Sequence, residues 1–408
     1  MAVRIIWRVH SIATKLRSKI PLFLEIFYTF LKLGMSSFGG PIAHLGYFRK
    51  EFVERRKWLD EYGYADLVSL CQFLPGPASS QVGMALGLSR GGIIGAFLAW
   101  LGFTLPSAVF LILFGLEFHH FQDTFGNWLH GLKIVSVAVV AQAIWSMGKS
   151  QFTDWHKTVL IALSAGLAIS FPNLWMQIAI IAAGGLSGLV FMDAPNALPG
   201  EPIMNIPRRR TGAIILSIFF GLLGVLPLLA SNAGIYPVRL VDSFYRAGAL
   251  VFGGGHVVLP LLHAQVVPNG WVSNSEFLAG YGAAQAVPGP LFTFAAFLGT
   301  VSSGTPSGWI GAAIALFAIF LPSFLLVTGI LPFWEDLRRV DSIQRIMQGI
   351  NSAVLGLLIA AFWSPVCSTA IRSGFDVALA AAAFLLLLKL PSWNVVVLTV
   401  LIAGICKF

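Results

Sequence analysis

Two short stretches with the same punctuation carry the chemistry this sequence can offer. Gln72-Phe73-Leu74-Pro75-Gly76-Pro77 returns as Gln285-Ala286-Val287-Pro288-Gly289-Pro290, each inside an otherwise apolar run. Proline lacks an N–H and crowds the carbonyl four residues back, so two prolines around a glycine end a helix. Backbone freed at membrane depth must be buried in protein or line a polar cavity. Ser80 and Thr293 follow the two breaks at matched positions. Gln72 and Gln285 supply amide donors, and Ser80 and Thr293 supply hydroxyls, without the cost of a buried charge. Neutral donors in a dry site hold an oxyanion and still release it. The same groups can also satisfy the broken backbone locally.

A second break recurs upstream. Phe38-Gly39-Gly40 matches Phe252-Gly253-Gly254. Paired glycines let a ligand approach the backbone N–H groups closely. A new helix starting there presents free N–H groups and the positive end of a dipole, which suits an anion. Tight helix packing is the competing reading. Six residues before each copy stands a cation, Lys32 and Arg246. A cation within a membrane segment is a functional candidate, and arginine's planar fork suits a tetrahedral oxyanion. Snorkelling to the headgroups is the alternative. Lys133 aligns only with Asn351, and the acidic residues do not repeat in this way. Gly91/Gly95 and Gly184/Gly188 are read as helix-packing contacts.

The elements that position these residues are membrane helices. The 408 residues are 57% hydrophobic and 11% charged, with mean hydropathy +0.82, against about 25% charged for a soluble chain. The net charge of +9 sits at segment ends, which fits basic cytoplasmic loops and not a nucleic-acid partner. Cys71, Cys367 and Cys406 show no CxxC spacing, so neither a disulfide framework nor a thiolate metal site is expected. No HExxH occurs, and His119-His120 reads as a solvated loop. Gly148-Lys149-Ser150 resembles the end of a phosphate loop, but position 143 is alanine and no strand precedes it. Nothing calls for a cofactor or a metal.

Residues 1–19 form a basic segment with Arg4, Arg8, Ser11, Lys15 and Lys19 on one helical face. It reads as an interfacial helix held by anionic lipid, or as a basic tail, and not as a signal peptide. The first repeat spans 20–192, with apolar segments at about 20–36, 66–88, 92–117, 131–148, 156–172 and 175–192. Residues 193–231 hold a proline-rich linker, Arg208-Arg209-Arg210 and one apolar span at 212–231. The second repeat, 232–408, has segments at about 242–258, 278–301, 307–332, 348–365, 374–390 and 393–407.

The two sets are copies. Phe30, Gly34 and Phe38-Gly39-Gly40 recur at an offset of 214, and Trp58, Gln72 and Pro75-Gly76-Pro77 at 213. Gly92, Gly95 and Leu105-Pro106-Ser107 recur at 216, Gly131 at 218 and Pro172 at 219. An ordered series of this kind marks internal duplication. An even number of crossings per half plus one connecting span makes the halves inverted, with a site near the bilayer midplane. The expected fold is an all-α polytopic membrane protein of two inverted six-segment repeats with helix breaks, joined by one extra span. One feature conflicts with this count. Arg49, Lys50, Arg55, Arg56 and Lys57 would follow the first crossing, on the side where basic residues are sparse. Either the first segment is re-entrant, or this loop lies outside.

The motif set, with Pro41 and Trp58-Leu59 after the first Phe-Gly-Gly and Gly255-His256 after the second, resembles the chromate ion transporter family in its long, two-repeat form. The resemblance runs from about residue 25 to the C-terminus. It implies a multi-pass protein of the bacterial cytoplasmic membrane that exports chromate and confers chromate resistance. Sulfate, a similar tetrahedral dianion, is the alternative substrate. The substrate-site residues it carries over are the two Phe-Gly-Gly and two Gln-x-x-Pro-Gly-Pro motifs, with Lys32 and Arg246. A membrane enzyme acting on a lipid phosphate is a remote alternative, since no acid/base pair recurs.

Overall fold

The computed structural model describes residues 21–118, 120, 126–152, 154–193, 208–252, 255–337 and 340–406, and among them every regular element is helical. The basic segment 1–19, His119, Gly253, Gly254 and most of the linker lie outside the described residues.

The first apolar segment is one arm of a hairpin. α1 (21–36) turns at residues 37–39 and returns as α2 (Gly40–Phe48), which widens into a π-helical stretch at Arg49–Arg55. Phe30 packs on Phe48 and Phe52 with ring centroids 5.7 and 4.9 Å apart. Arg56 reaches Glu25 at 2.6 Å, so the return arm ends level with the start of α1. A second hairpin follows. α3 (Glu61–Phe73) starts at Asp60, whose carboxylate accepts the Gly63 N–H at 2.8 Å, the usual way of satisfying an orphan N–H at a helix start. It runs to the Pro-Gly-Pro turn, and the first arm of α4 (Ala78–Leu116) comes back until Arg90 stacks on Trp58 at 5.1 Å. At Gly92 the backbone takes φ 64° and ψ −155°, folding α4 so that Gly87 touches Gly95 of its second arm.

That second arm then crosses, followed by α5 (Gly126–Gln151), α6 (Trp155–Ser170), α7 (Leu174–Phe191) and the connecting span α8 (Arg209–Ala233). The second half repeats the plan. It comprises α9 (Tyr236–Ala249), α10 (Val258–Val266), α11 (Asn274–Ala286), α12 (Phe294–Val301), α13 (Gly308–Ile330), α14 (Asp341–Ala361), α15 (Gly374–Leu387) and α16 (Ser392–Ile405). Tyr236 packs on Trp271, the Trp271 N–H donates to the Val266 carbonyl, and the Ser303 N–H donates to the Trp271 carbonyl. The open ends of both second-half hairpins therefore lie together.

Each half thus has two hairpins that return to their own side, followed by four helical arms, and its segment count is the one expected. Among the described helices, α4, α5, α8, α13 and α14 are long and apolar enough to cross a bilayer. The hairpins return to their own side, so the count stays even and the inverted relation survives. The conflict over residues 49–57 disappears, because Arg56 lies level with the start of α1. Arg90, Lys149 and Arg209 belong to the same face, hereafter the basic face. It is tied by Arg209–Asp336 at 2.8 Å, by the Gln348 amide on the Asp193 carbonyl and by the Ser352 hydroxyl on Gln151. The far face is tied by His130–Asp376 at 3.0 Å and by Tyr236 with Ser302.

The halves interlock. α14 packs on α6 and α7, while α5 packs on α15 and α16. Glycine makes this possible, as small residues do where lipid offers no hydrophobic drive between helices. Gly184 and Gly188 of α7 meet the backbone of α14 at Gly349 and Arg345. Gly95, by contrast, packs within α4.

Gly188→Leu or Gly349→Leu is expected to lose about 1–3 kcal/mol through overpacking, read as a fall in thermal stability in detergent. Gly224→Leu, with open space at its Cβ, should change nothing. Single cysteines at 50, 57 and 210 should react with an impermeant maleimide from one side of the membrane, and cysteines at 275 and 303 from the other.

Candidate functional site

The four hairpin tips meet, and they do so crosswise between halves. The Gly76 N–H donates to the Val251 carbonyl at 2.7 Å, and the Gly289 N–H donates to the Ser37 carbonyl at 3.0 Å. Val251 and Ser37 each stand immediately before a Phe-Gly-Gly. Each Pro-Gly-Pro break therefore gives its freed N–H to the Phe-Gly-Gly turn of the other half. The Leu-Pro-Ser repeats join them in the same sense. A Cβ on Gly76 would strike Ser323 and Gln81, and one on Gly289 would lie 2.8 Å from the Ser107 hydroxyl. Gly76 and Gly289 sit at φ 126° and 106°, where a side chain is strained. Pro41, just after the first Phe-Gly-Gly, lies 3.8 Å from a Cβ built on Gly255 of the second half.

Helix starts surround this point. α2 begins at Gly40, α4 at Ala78, and helical turns begin at Gly255 and Leu291. Their first N–H groups have no intrahelical acceptor, and their dipoles favour negative charge. Buried hydroxyls add to them. Ser37, Ser80, Thr104 and Ser323 are 0–2% exposed, and none of their hydroxyls has a partner. An unsatisfied buried hydroxyl costs about 1–3 kcal/mol, so each of the four gains from a water or a ligand that accepts its hydrogen bond.

His44 fixes part of this arrangement. Its Nε2 lies 3.1 Å from the Ser37 carbonyl and its Nδ1 3.3 Å from the Ser79 hydroxyl, and its ring meets Phe103 edge-on. A carbonyl only accepts, so Nε2 carries the proton and Nδ1 accepts from Ser79. His44 thus clamps the tip of the first hairpin to that of the second, and the Ser79 hydroxyl is already used.

The sequence candidates fall into different places. Ser80 is in the cluster. Thr293, its counterpart, turns its hydroxyl back on the Pro290 carbonyl at 2.7 Å and satisfies its own break. Pro75 accepts from the Gln81 amide at 2.7 Å. Pro77 and Pro290 open the helical turns after the breaks, and Pro288 precedes Gly289. Phe38 packs on Trp393 of α16 at 5.3 Å, and Gly39 and Gly40 lie at the tip with positive φ. Phe252 is half-buried, and Gly253 and Gly254 lie outside the described residues. Gln72 is exposed, while Gln285 is half-buried with its amide nitrogen unpartnered. Lys32 is exposed, but Arg246 is paired with Asp242, which is 2% exposed. The two cations are equivalent in sequence and not in environment.

Sequence reasoning passed over Ser37, His44, Thr104 and Asp242. Asp242 stands four residues before Arg246, a pairing distance on a helix, but its counterpart is Tyr28 and no repeat flagged it. Ser107 and Ser323 were visible as repeat markers, without a role.

A family model described as Chromate transporter matches residues 24–189 and 238–408. A chromate transport protein of Pseudomonas aeruginosa is 29% identical over 353 residues, covering 82% of this chain and 79% of the relative. A chromate transport protein of Cupriavidus metallidurans is 28% identical over 344 residues, covering 81% and 80%. An uncharacterized transporter of Bacillus subtilis is 31% identical over 128 residues, covering 31% of this chain and 70% of the relative. No solved structure matches.

His44→Ala leaves the Ser79 hydroxyl without its partner and the Ser37 carbonyl with the Gly289 N–H alone. The expected cost is about 1–3 kcal/mol, seen as a lower melting temperature, with His44→Gln restoring part of it. Gly76→Ala should cost about 1–3 kcal/mol in backbone strain, beyond the clash with Ser323, and Ser323→Gly should relieve only the clash.

Proposed function

The chain belongs to the chromate transporter family, and we propose that it is a secondary transporter that exports chromate across the bacterial cytoplasmic membrane and so confers chromate resistance. The observation that carries this reading is the set of unpartnered buried hydroxyls where four hairpin tips meet. Chromate is a tetrahedral dianion that only accepts hydrogen bonds. Ser37, Ser80, Thr104 and Ser323 supply O–H donors, and helix starts supply N–H donors and positive potential. Because these donors are neutral, the ion can leave again.

We assign contact with the ion to the Ser80 and Ser323 hydroxyls and to the turns at Phe38-Gly39-Gly40 and Phe252-Gly253-Gly254. Gly76 and Gly289, with Pro75, Pro77, Pro288 and Pro290, hold the breaks open. Lys32 and Arg246 attract the ion on its way in and out, and Gln72 and Gln285 lie beside the tips. The basic face is cytoplasmic, in keeping with the positive-inside rule. A dianion leaving an inside-negative cell moves downhill. At roughly 2.3 kcal/mol per charge per 100 mV, two charges give about 4–5 kcal/mol, enough for efflux without a coupling ion. Sulfate presents the same tetrahedral array of acceptors and is the second substrate this site fits.

Expression in a chromate-sensitive host should lower chromate accumulation. Unchanged accumulation, with the protein present in the membrane, overturns the substrate assignment, and sulfate competition in vesicles ranks the two oxyanions. Ser80→Ala and Ser323→Ala each remove a hydrogen bond to a charged group, worth about 1.5–3 kcal/mol. Apparent affinity for chromate should weaken about 10- to 100-fold with little change in protein level. Lys32→Ala and Arg246→Ala should slow transport, and wild-type rates in both would assign them to snorkelling.

A further inference from the structure

The duplicated halves allow each residue to be compared with its counterpart, and burial differs consistently along one surface. Tyr28, Gly46, Tyr47, Ala65 and Ser69 of the first half are all exposed. Their counterparts Asp242, Pro260, Leu261, Leu278 and Gly282 are all buried. The second-half positions are covered by helices from the other part of the fold. α5 packs on α11, where the Ser136 hydroxyl donates to the Leu278 carbonyl at 3.1 Å and Gly282 lies against the Leu132 backbone. α14 and α7 pack on α10, and the Ser392 hydroxyl of α16 reaches the Gln285 carbonyl at 3.5 Å. In the first half the matching places are open. A Cβ on Gly46 would meet nothing within 4 Å, and Ser69 turns its hydroxyl back on Ala65. Gln72, counterpart of Gln285, is exposed beside the tip.

This asymmetry has a direction. The covered hairpins open toward the far face and the uncovered ones toward the basic face. We infer that the α5–α11 contact is a closed gate on the far face and that α3 is its open counterpart, onto which α14 seats when the basic face closes. The inference rests on the transport reading above and names the moving surfaces for it. By the repeat offsets, Val354 takes the place of Ser136 against Ala65, and Ile350 takes the place of Leu132 against Ser69. The closed contact joins a glycine and one hydroxyl to backbone, which suits reversible seating. The Lys32 and Gln72 surface is then the cytoplasmic approach to the hydroxyl cluster. On the far side the matching approach is shut, and its cation, Arg246, is paired with Asp242.

The test uses the full chain with its three native cysteines replaced. Ser69→Cys and, separately, Gln285→Cys are labelled with an impermeant maleimide from each side of the membrane, without added oxyanion. With the outward-open form populated at about 1–10%, Ser69→Cys should react from the basic face at least about tenfold faster than Gln285→Cys reacts from the far face. Oxidation of the pair Ser69→Cys with Ile350→Cys, or of Ala65→Cys with Val354→Cys, should abolish transport, reversibly with reductant. In the cross-linked protein a Gln285→Cys probe should gain reactivity from the far face. Ser69→Cys protected from both sides, or cross-linked protein that still transports, overturns the gate. A pair that does not cross-link during turnover, in variants that transport normally, also overturns it. Labelling needs no substrate, so the expected accessibility without chromate movement would sink the substrate assignment and leave the gate standing.

Discussion

Backbone polar groups freed inside a bilayer must find partners within the protein, and this chain frees them at four places. The two hydrogen bonds from Gly76 to Val251 and from Gly289 to Ser37 answer that demand across the halves. Neither Pro-Gly-Pro glycine gives its N–H to its own half. These two bonds tie the halves together and hold the Pro-Gly-Pro turns against Val251 and Ser37 of the other half. A neutral amide and a carbonyl do this without placing a charge in the core. The Ser37, Ser80, Thr104 and Ser323 hydroxyls stay unpartnered.

Small residues make the arrangement physically possible. Gly34, Gly102 and Gly248 let α1, α4, α9 and α13 approach backbone to backbone behind the tips. Gly92 reverses α4 so that a hairpin arm and a crossing arm share one packed surface. Larger aromatic side chains then fill the outer part of each hairpin, as Phe30, Phe48 and Phe52 do. The hydroxyls of Ser37, Ser80, Thr104 and Ser323 are buried within this packing. In such surroundings a hydrogen bond to a dianion is stronger than in water, and the helix starts add to it without reorganising.

The duplication is exact enough to position the tips and loose enough to differ in function. Ser80 keeps a free hydroxyl where Thr293 uses its own on Pro290. Lys32 stands exposed where Arg246 is held by Asp242. A strictly symmetric pair of halves would bind equally from both sides at once. These departures, together with the one-sided covering of α10 and α11, make the two faces inequivalent in this structure.

The sequence by itself determined the helix breaks, the duplication and the inverted plan. These depend on proline and glycine chemistry and on register, which are local and periodic. Parity also survived the hairpins, because a re-entrant hairpin adds two short arms and no net displacement. Only the tertiary structure decided that residues 21–36 form a hairpin arm, since the return arm, α2, is too short and polar at its end to read as a membrane segment. It also decided that Ser37, His44, Thr104 and Ser323 are buried while Gln72 and Lys32 are exposed. A hydroxyl or an imidazole on an apolar helix carries no mark of what it faces. Its role comes from contacts between residues far apart in the chain, and for this protein those contacts join one half to the other.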